Sequence, residues 1–305
     1  MSKKENKPYR IESISELRRV LGLPKPLHPL IMVSNSMERM IDLSLMPNPH
    51  IKSFYKISYL KNITGQLKYG QRYYDFEEGG MIFISPNQLI KTDDSTTDHS
   101  GYTLFFHPDF LLGTSFATKI QQYGFFSYDV NEALHLSERE KTSVISVFKM
   151  IEEELLLPID DFSQDIVVNQ IELLLNYCNR YYKRQFTTRK SVNSSILQTL
   201  ETYLDDYLNN KNSFNNGIPT VQSLADHVNL TPRYLSDMLR TLTSRNPQQL
   251  IHDKLIERAK ELLSTSDLSV SEIAYKMGFE YTQSFSRLFK SKTNQSPLEF
   301  RKSFN

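Results

Sequence analysis

A stretch of the carboxy-terminal third is written twice, and this repeat constrains the fold more than any other feature of the 305 residues. "SLADHVNLTPRYLSDMLRTLTSRNPQQL" aligns with "EIAYKMGFEYTQSFSRLFKSKTNQSPLEF". Leu224 and Ile273, Ala225 and Ala274, Val228 and Met277, and Leu230 and Phe279 stand 49 positions apart. After a one-residue insertion, Leu235 and Phe285, Leu239 and Phe289, Arg240 and Lys290, Pro247 and Pro297, and Leu250 and Phe300 stand 50 apart. Apolar positions that hold register over this length point to two copies of one supersecondary unit.

Each copy carries helix punctuation. Thr220 and Ser269 are placed to cap short first helices, and Ser269 with Glu272 makes a capping box. Those helices end at Asn229 and Gly278, the residue types that best tolerate a left-handed turn. Thr231-Pro232 restarts a helix with Pro at the first position, and Asn246-Pro247 and Ser296-Pro297 repeat the device. Short helix, tight turn, second helix is a helix-turn-helix, here twice. At ~100° per residue the second helix of copy two turns Phe285, Leu288 and Phe289 inward. Thr282, Gln283, Ser284, Arg287, Lys290 and Ser291 lie outward. In copy one Leu235, Met238, Leu239 and Leu242 face inward, and Arg233, Ser236, Asp237 and Arg240 outward. Arginine reads guanine, glutamine reads adenine, hydroxyls read either, and cations meet phosphates. A single such helix reads more readily as an amphipathic helix with a solvated face; two with matching turns reverse this in favour of DNA recognition.

"PQQLIHDKLIERAKELLS" between the copies reads as one helix with an Ile251, Leu255, Ala259, Leu262 and Leu263 seam. From Gln248 to Leu263 it spans ~24 Å. A spacer of this size presents both reading helices to successive major grooves, ~34 Å apart on one face of double-stranded DNA. Charge supports this locally. Residues 191–305 hold thirteen Lys or Arg against twelve Asp or Glu, but the last 25 residues hold Arg287, Lys290, Lys292, Arg301 and Lys302 against Glu299 alone. A non-specific architectural DNA-binding protein would be far more basic.

The amino-terminal part is of another kind. From Phe54 to Phe106 aromatic and β-branched residues alternate with polar ones, Gly79-Gly80 marks a turn, and Pro86 and Pro108 end strands, which suggests a small barrel or sandwich. "LSEREKTSVISVFKMIEEELLLP" then opens on a Ser137–Glu140 capping box and keeps Val144, Ile145, Phe148, Ile151 and Leu155 on one face. A second helix from about Ser163 carries a wider apolar surface, including Ile166, Val167, Ile171, Leu174, Leu175, Cys178, Tyr181 and Tyr182; it is either intramolecular core or a subunit interface. "TTRKSVNSS" reads as a linker beside the basic run Arg180, Lys183, Arg184, Arg189 and Lys190, and places a domain boundary near 190. Tyr55, Tyr59, Tyr69, Tyr73, Tyr74 and Phe83 fill a core or line a pocket.

No apolar run approaches the ~20 residues of a membrane span, and "MSKKENKPYRIES" lacks the apolar region of a signal peptide. A single cysteine, Cys178, excludes an internal disulfide. These features suit a cytoplasmic protein. A cupin-type metalloenzyme needs clustered ligands; the seven histidines form no HxH pair, and His99 and His107 are the nearest to one. No nucleophile motif or phosphate loop occurs, so no enzyme activity and no cofactor are expected.

The segment "SVSEIAYKMGFEYTQSFSRLFKSKTNQSPLEFR" resembles the signature of the AraC/XylS family of bacterial transcription regulators, with EIA, GF, FSRLFK, SP and FR in register, and "SLADHVNLTPRYLSDMLR" resembles the family's first helix-turn-helix. The resemblance covers roughly 196–305. It implies an α+β chain: a cupin-like β-barrel over 1–190 (β-rich 50–110, helices 137–157 and 163–184) serving as sensor, then an all-α domain over 191–305. It further implies a small-molecule effector, a homodimer through helices 137–183, and contact with RNA polymerase if the protein is an activator. Carried over by position, Thr282, Gln283, Ser284 and Arg287 read bases in copy two, and Arg233, Ser236 and Asp237 in copy one. Arg240, Lys290, Ser291, Lys292 and Arg301 would meet phosphates. Asp237 departs from the pattern, since an acid repels phosphate, and Ser244 and Asn294 replace the usual glycines after the reading helices.

Overall fold

Strand pairing begins far earlier in the chain than the aromatic-rich run. In the computed structural model, which describes residues 8–36, 45–61, 67–69, 72–74, 79–90, 100–129, 132–209 and 217–304, the chain divides into compact units 1–185 and 186–305. The amino-terminal unit opens with β1 (Tyr9–Ile11) and the short helix α1 (Ile14–Val20), capped by the Ser13 hydroxyl, which accepts from the Glu16 N–H. β2 (Ile31–Asn35), β3 (His50–Lys52), β4 (Tyr55–Leu60), β5 (Leu67–Tyr69), β6 (Arg72–Tyr74), β7 (Gly80–Ile84), β8 (Leu89–Ile90), β9 (Gly101–Phe106) and β10 (Leu134–His135) follow.

The strands form a five-stranded sheet in the order β10-β7-β4-β9-β2, a three-stranded sheet β1-β3-β8, and the hairpin β5-β6. Among the described residues these sheets are separate and close no barrel. The β region therefore extends beyond 50–110 on both sides. β1 and β10 are too short to carry an alternation of their own, β2 shows none in its burial, and all three are held by pairing with β3, β7 and β9.

The large sheet has two unlike faces, because residues directly opposite on neighbouring strands share a side. One face carries Ile57, Tyr59, Met81, Phe83, Leu104 and Phe106, all buried. Phe83 and Phe106 join an aromatic cluster with Tyr55, Phe125, Phe126 and Tyr182. The aromatics Tyr55, Tyr59 and Phe83 thus fill core; the side chains of Tyr69, Tyr73 and Tyr74 lie outside the described residues. The opposite face is mixed and is taken up below.

Helices α2 (Phe116–Lys119), α3 (Glu138–Leu156) and α4 (Ser163–Thr188) follow. The Ser137–Glu140 capping box opens α3 as expected, and Val147 joins Val144, Phe148 and Ile151 in its buried stripe. The wide apolar surface of α4 is largely spent inside the chain: Val167, Val168, Ile171, Leu174, Leu175, Cys178, Tyr181, Tyr182 and Phe186 are all buried. Burial also pushes the Cys178 thiol far above its ordinary value, so it is inert packing. Arg184 is no free cation; it pairs with Glu140 at 2.7 Å and donates to the His135 carbonyl.

The expected linker "TTRKSVNSS" is helical. α4 runs to Thr188, and α5 (Lys190–Asn209) starts after a single turn residue. Weak helix formers are overruled here by packing: Leu200, Leu204 and Leu208 are buried at helical spacing against a later helix. Asn193 is buried too, and its amide donates to the Phe186 carbonyl at 2.6 Å. The remaining helices are α6 (Val221–His227), α7 (Pro232–Thr243), α8 (Pro247–Thr265), α9 (Val270–Lys276), α10 (Thr282–Thr293) and α11 (Pro297–Lys302). No helix among the described residues is long and apolar enough to cross a membrane.

Candidate nucleic-acid interface

α6–α7 and α9–α10 are two helix-turn-helix units, and their turns match bond for bond. The N–H of Asn229 donates to Asp226 O and that of Leu230 to Ala225 O; in the second unit Gly278 donates to Tyr275 O and Phe279 to Ala274 O. These paired bonds close a helix through a left-handed residue, and Asn229 and Gly278 have φ of 53° and 83°. Leu230 and Phe279, next in sequence, are both buried. The reading helices end alike, with Ser244 at φ 59° and Asn294 at φ 61°. The repeat is thus structural, offset by 49 through the turn and 50 along the second helix.

Gly278 is irreplaceable for a second reason. A Cβ there would meet the backbone C and O of Gly217 at 2.6 Å. The turn of unit two packs directly on the chain leading into α6.

The start signals also act as read. Thr220 caps α6, Thr231 caps α7, Asn246 caps α8, Ser269 caps α9 and Ser296 caps α11, each accepting the N–H three residues on. α10 differs: Tyr281 at its N-cap offers no side-chain acceptor. Its first turn therefore has no side-chain cap from that residue, an arrangement that suits a phosphate oxygen. Tyr281 itself is 64% exposed beside them, a candidate contact that the sequence reading passed over.

On α10, Phe285 and Phe289 are buried, while Gln283, Ser284, Arg287, Lys290, Ser291 and Lys292 are exposed and Thr282 is half-buried. On α7, Tyr234, Leu235, Met238 and Leu239 are buried, with Arg233 and Arg240 exposed and Ser236 and Asp237 half-buried. Both outer faces stand as the periodicity places them. The hydroxyls of Ser236 and Ser291 donate back to the Pro232 and Leu288 carbonyls, so toward DNA they present lone pairs.

Three of the expected DNA-contacting cations, Arg233, Lys292 and Arg301, are engaged within the protein. Arg233 Nε lies 3.1 Å from Asp237 Oδ2, one helical turn on, so the unexpected acid offsets the arginine of its own face. Lys292 Nζ lies 2.8 Å from Asp253 Oδ1 on α8, and Arg245 reaches the other oxygen of Asp253 at 3.3 Å. Asp253 thereby ties the end of unit one to the end of α10, a link that no local pattern announces. Arg301 turns onto α8, its Nε donating to the Leu263 carbonyl at 3.2 Å. It is a helix-end contact within the unit rather than part of the outer face.

α8 is the single spacer helix expected. Ile251, Leu255, Ala259, Leu262 and Leu263 are buried along it, with Leu250 and Ile256 beside them. At ~1.5 Å per residue its length is roughly 28 Å.

As for a metal, His107 ends β9 and accepts the Asp109 N–H at 3.2 Å, and His99 lies outside the described residues. Among the described residues no three His, Cys, Asp or Glu side chains converge on a metal-sized site.

Two matched reading helices on a rigid spacer define a double helix-turn-helix DNA-binding protein. Residues 224–303 match the family model described as "Helix-turn-helix domain". The chain is 25% identical over 257 residues to the HTH-type transcriptional activator RhaS of Escherichia coli O1:K1 / APEC, covering 83% of this chain and 86% of that protein. It is 31% identical over 124 residues to the raffinose operon transcriptional regulatory protein RafR of Pediococcus pentosaceus, 41% of this chain and 42% of that one. Among solved structures, the C-terminal domain of AraT, a response regulator from Geobacillus stearothermophilus, matches at 27% identity and a TM-score of 0.31, covering 35% of this chain and 84% of that domain. The matched domain and these relatives support an AraC/XylS-type transcriptional regulator.

Proposed function

We propose that this chain is a sequence-specific DNA-binding transcriptional regulator that reads promoter DNA through α7 and α10 in two successive major grooves, and answers to a small molecule through its amino-terminal unit. The observation that carries the first part is the outer face of α10. Gln283, Ser284 and Arg287 stand exposed on a helix whose opposite side is locked by Phe285 and Phe289. Amide, hydroxyl and guanidinium groups on one rigid face suit base edges, and the cations Lys290 and, in unit one, Arg240 suit the flanking phosphates. A non-specific binder has no use for two matched faces of this kind. In unit one, Ser236 with the Arg233–Asp237 pair reads bases, Asp237 serving as an acceptor for cytosine.

Selection of bound duplexes from a random library at physiological salt, with wild type and Arg287→Ala, tests this reading. A motif with two elements about one helical turn apart is the expected product. The variant loses ~1–3 kcal/mol of preference at one base position and keeps the rest. Retention of duplexes without enrichment, by both proteins alike, refutes it.

For the amino-terminal unit we favour a cupin-like sensor, supported by a small sheet with one apolar and one mixed face ahead of two helices. Dimerisation through 137–183 is supported by the apolar corner between α3 and α4, where Leu156, Leu157, Ile159 and Phe162 are all more than half exposed. The protein acts in the cytoplasm, where promoter DNA is, and touches RNA polymerase if it activates. No catalytic role is assigned to it.

A further inference from the structure

The mixed face of the large sheet looks onto a buried amine and imidazole that no acid among the described residues accompanies. Lys52 is 5% exposed and His50 1%. The Lys52 Nζ lies 2.6 Å from His50 Nε2, and His50 Nδ1 lies 2.7 Å from the Pro47 carbonyl oxygen. A carbonyl can only accept, so Nδ1 carries the imidazole proton and Nε2 accepts from the lysine. This spends one lone pair on Lys52 and brings no negative charge.

The strand registers place a second lysine opposite. On β3, Lys52 lies beside Ile11, and Ile11 packs in one cluster with Met32, Phe54 and Phe105. Across the large sheet, Met32, Phe105, Lys56 and Ile84 form one row, and Ser34, Thr103, Ser58 and Ile82 the row two residues along on the same face. Lys56 therefore stands on the face that meets the cluster from one side, and Lys52 on the strand that meets it from the other. Ser58 is 1% exposed and its hydroxyl lies 3.0 Å from that of Thr103. Among the described residues neither lysine has a carboxylate partner. Burial holds the Lys52 amine down at about 6, helped by the charge of Lys56, and burial alone holds Lys56 at about 8. The same burial, with Lys52 second, holds His50 at about 4. Cores ordinarily exclude such groups unless something pairs them.

We propose that an organic carboxylate binds between the two sheets, with Lys52 and Lys56 as its counter-charges and the Ser58 and Thr103 hydroxyls as further donors. The apolar walls given by Ile11, Met32 and Phe105 suit a carbon skeleton and would strip a phosphate dianion of hydration without replacing it. This deepens the sensor reading above and rests on it. A bound carboxylate supplies the negative charge that no described residue brings to either lysine and draws β3 and β4 to one object, so occupancy reports on how the two sheets sit together.

The test is the thermal midpoint of full-length protein, dialysed free of organic anions, with acetate, succinate or benzoate. Acetamide, succinamide, benzamide and phosphate at equal ionic strength are the controls. At about a hundredfold excess over Kd at least one carboxylate raises the midpoint by several degrees and its amide does not. Lys52→Met and Lys56→Met lose that shift while melting no lower than wild type without ligand. If no carboxylate shifts the midpoint, if the amide does as well, if phosphate alone acts, or if both variants keep the shift, the inference is wrong. Should a variant fold poorly, the carboxylate–amide comparison on wild type decides alone. Affinity for the selected duplex separates the two claims. Indifference of that affinity to a bound carboxylate sinks the sensor reading and leaves the site standing. Response to a neutral molecule with no carboxylate bound sinks the site alone.

Discussion

Replacing Ser244 by glycine will stabilise the carboxy-terminal unit. Ser244 ends α7 at φ 59°, ψ 14°, its N–H donating to Arg240 O at 3.0 Å. Asn294 ends α10 at φ 61°, ψ 8°, its N–H donating to Lys290 O at 2.9 Å. The two sites share geometry and exposure and differ in residue, so each controls for the other. A residue with a Cβ spends ~1–2 kcal/mol in this conformation, less for Asn, whose short amide tolerates it. Glycine removes that strain but loses ~0.4–1 kcal/mol more backbone entropy on folding. Ser244 is exposed, so no packing is lost. The balance for Ser244→Gly is a gain of about 0.5–1 kcal/mol, and for Asn294→Gly about zero to 0.5 kcal/mol. With a urea slope of ~1–2 kcal/mol per molar, the helical circular-dichroism midpoint of the unit rises by roughly 0.5 M for Ser244→Gly. A β-branched Ser244→Val lowers it. A drop for Ser244→Gly, or an equal gain at Asn294, would show that left-handed strain is not what distinguishes these turns.

Gly278→Ala costs more than ~3 kcal/mol, since it adds strain at φ 83° to a 2.6 Å clash with the Gly217 backbone; unfolding midpoints check this, and Asn229→Gly in the matching turn is tolerated. Asp253→Asn releases Lys292 and Arg245 for phosphates; the slope of log affinity against log salt steepens by ~0.9 for each phosphate gained, while stability changes by less than about 1 kcal/mol because the pairs are partly exposed. Lys52→Met raises stability near neutral pH. With its folded value at about 6 against an ordinary 10.5, the unfolded chain binds the extra proton over this interval, so wild-type stability climbs from pH 6 upward by ~1 kcal/mol per unit, and the variant's climb is shallower across pH 6–9.

Much of the interface was legible because its signals are short-range. A cap needs one hydroxyl and an N–H three residues on, a left-handed stop needs Asn or Gly, and an outer face needs only the helical period. The repeat doubled each signal, which is why Thr231, Asn246, Ser269 and Ser296 act as read. What the periodicity could not reveal were the partners those faces find. Asp237 looked like an obstacle to phosphate and proves to be the partner of Arg233. Lys292 and Arg301 looked like surface cations, yet one is held by Asp253 and the other lies on Leu263. The last two pairings join residues far apart in sequence, while Arg233 and Asp237 stand one helical turn apart, and charge counting treats all cations alike.

The amino-terminal unit shows the same division more sharply. The sequence alone established a β-rich region, the Ser137 cap of α3 and the breadth of apolar surface on α4. It could not establish β1 or β10, which have too few residues to form without partners, nor β2, whose burial does not alternate, nor α5, whose Thr, Ser and Asn content suits a linker. The folded chain settled these through long-range pairing and burial. It also decided that Lys52 and Lys56, two unremarkable lysines in an alternating run, stand on opposing surfaces of one buried cluster. A lysine's environment is set by whatever the fold brings across from it, and that lies beyond the reach of any local pattern.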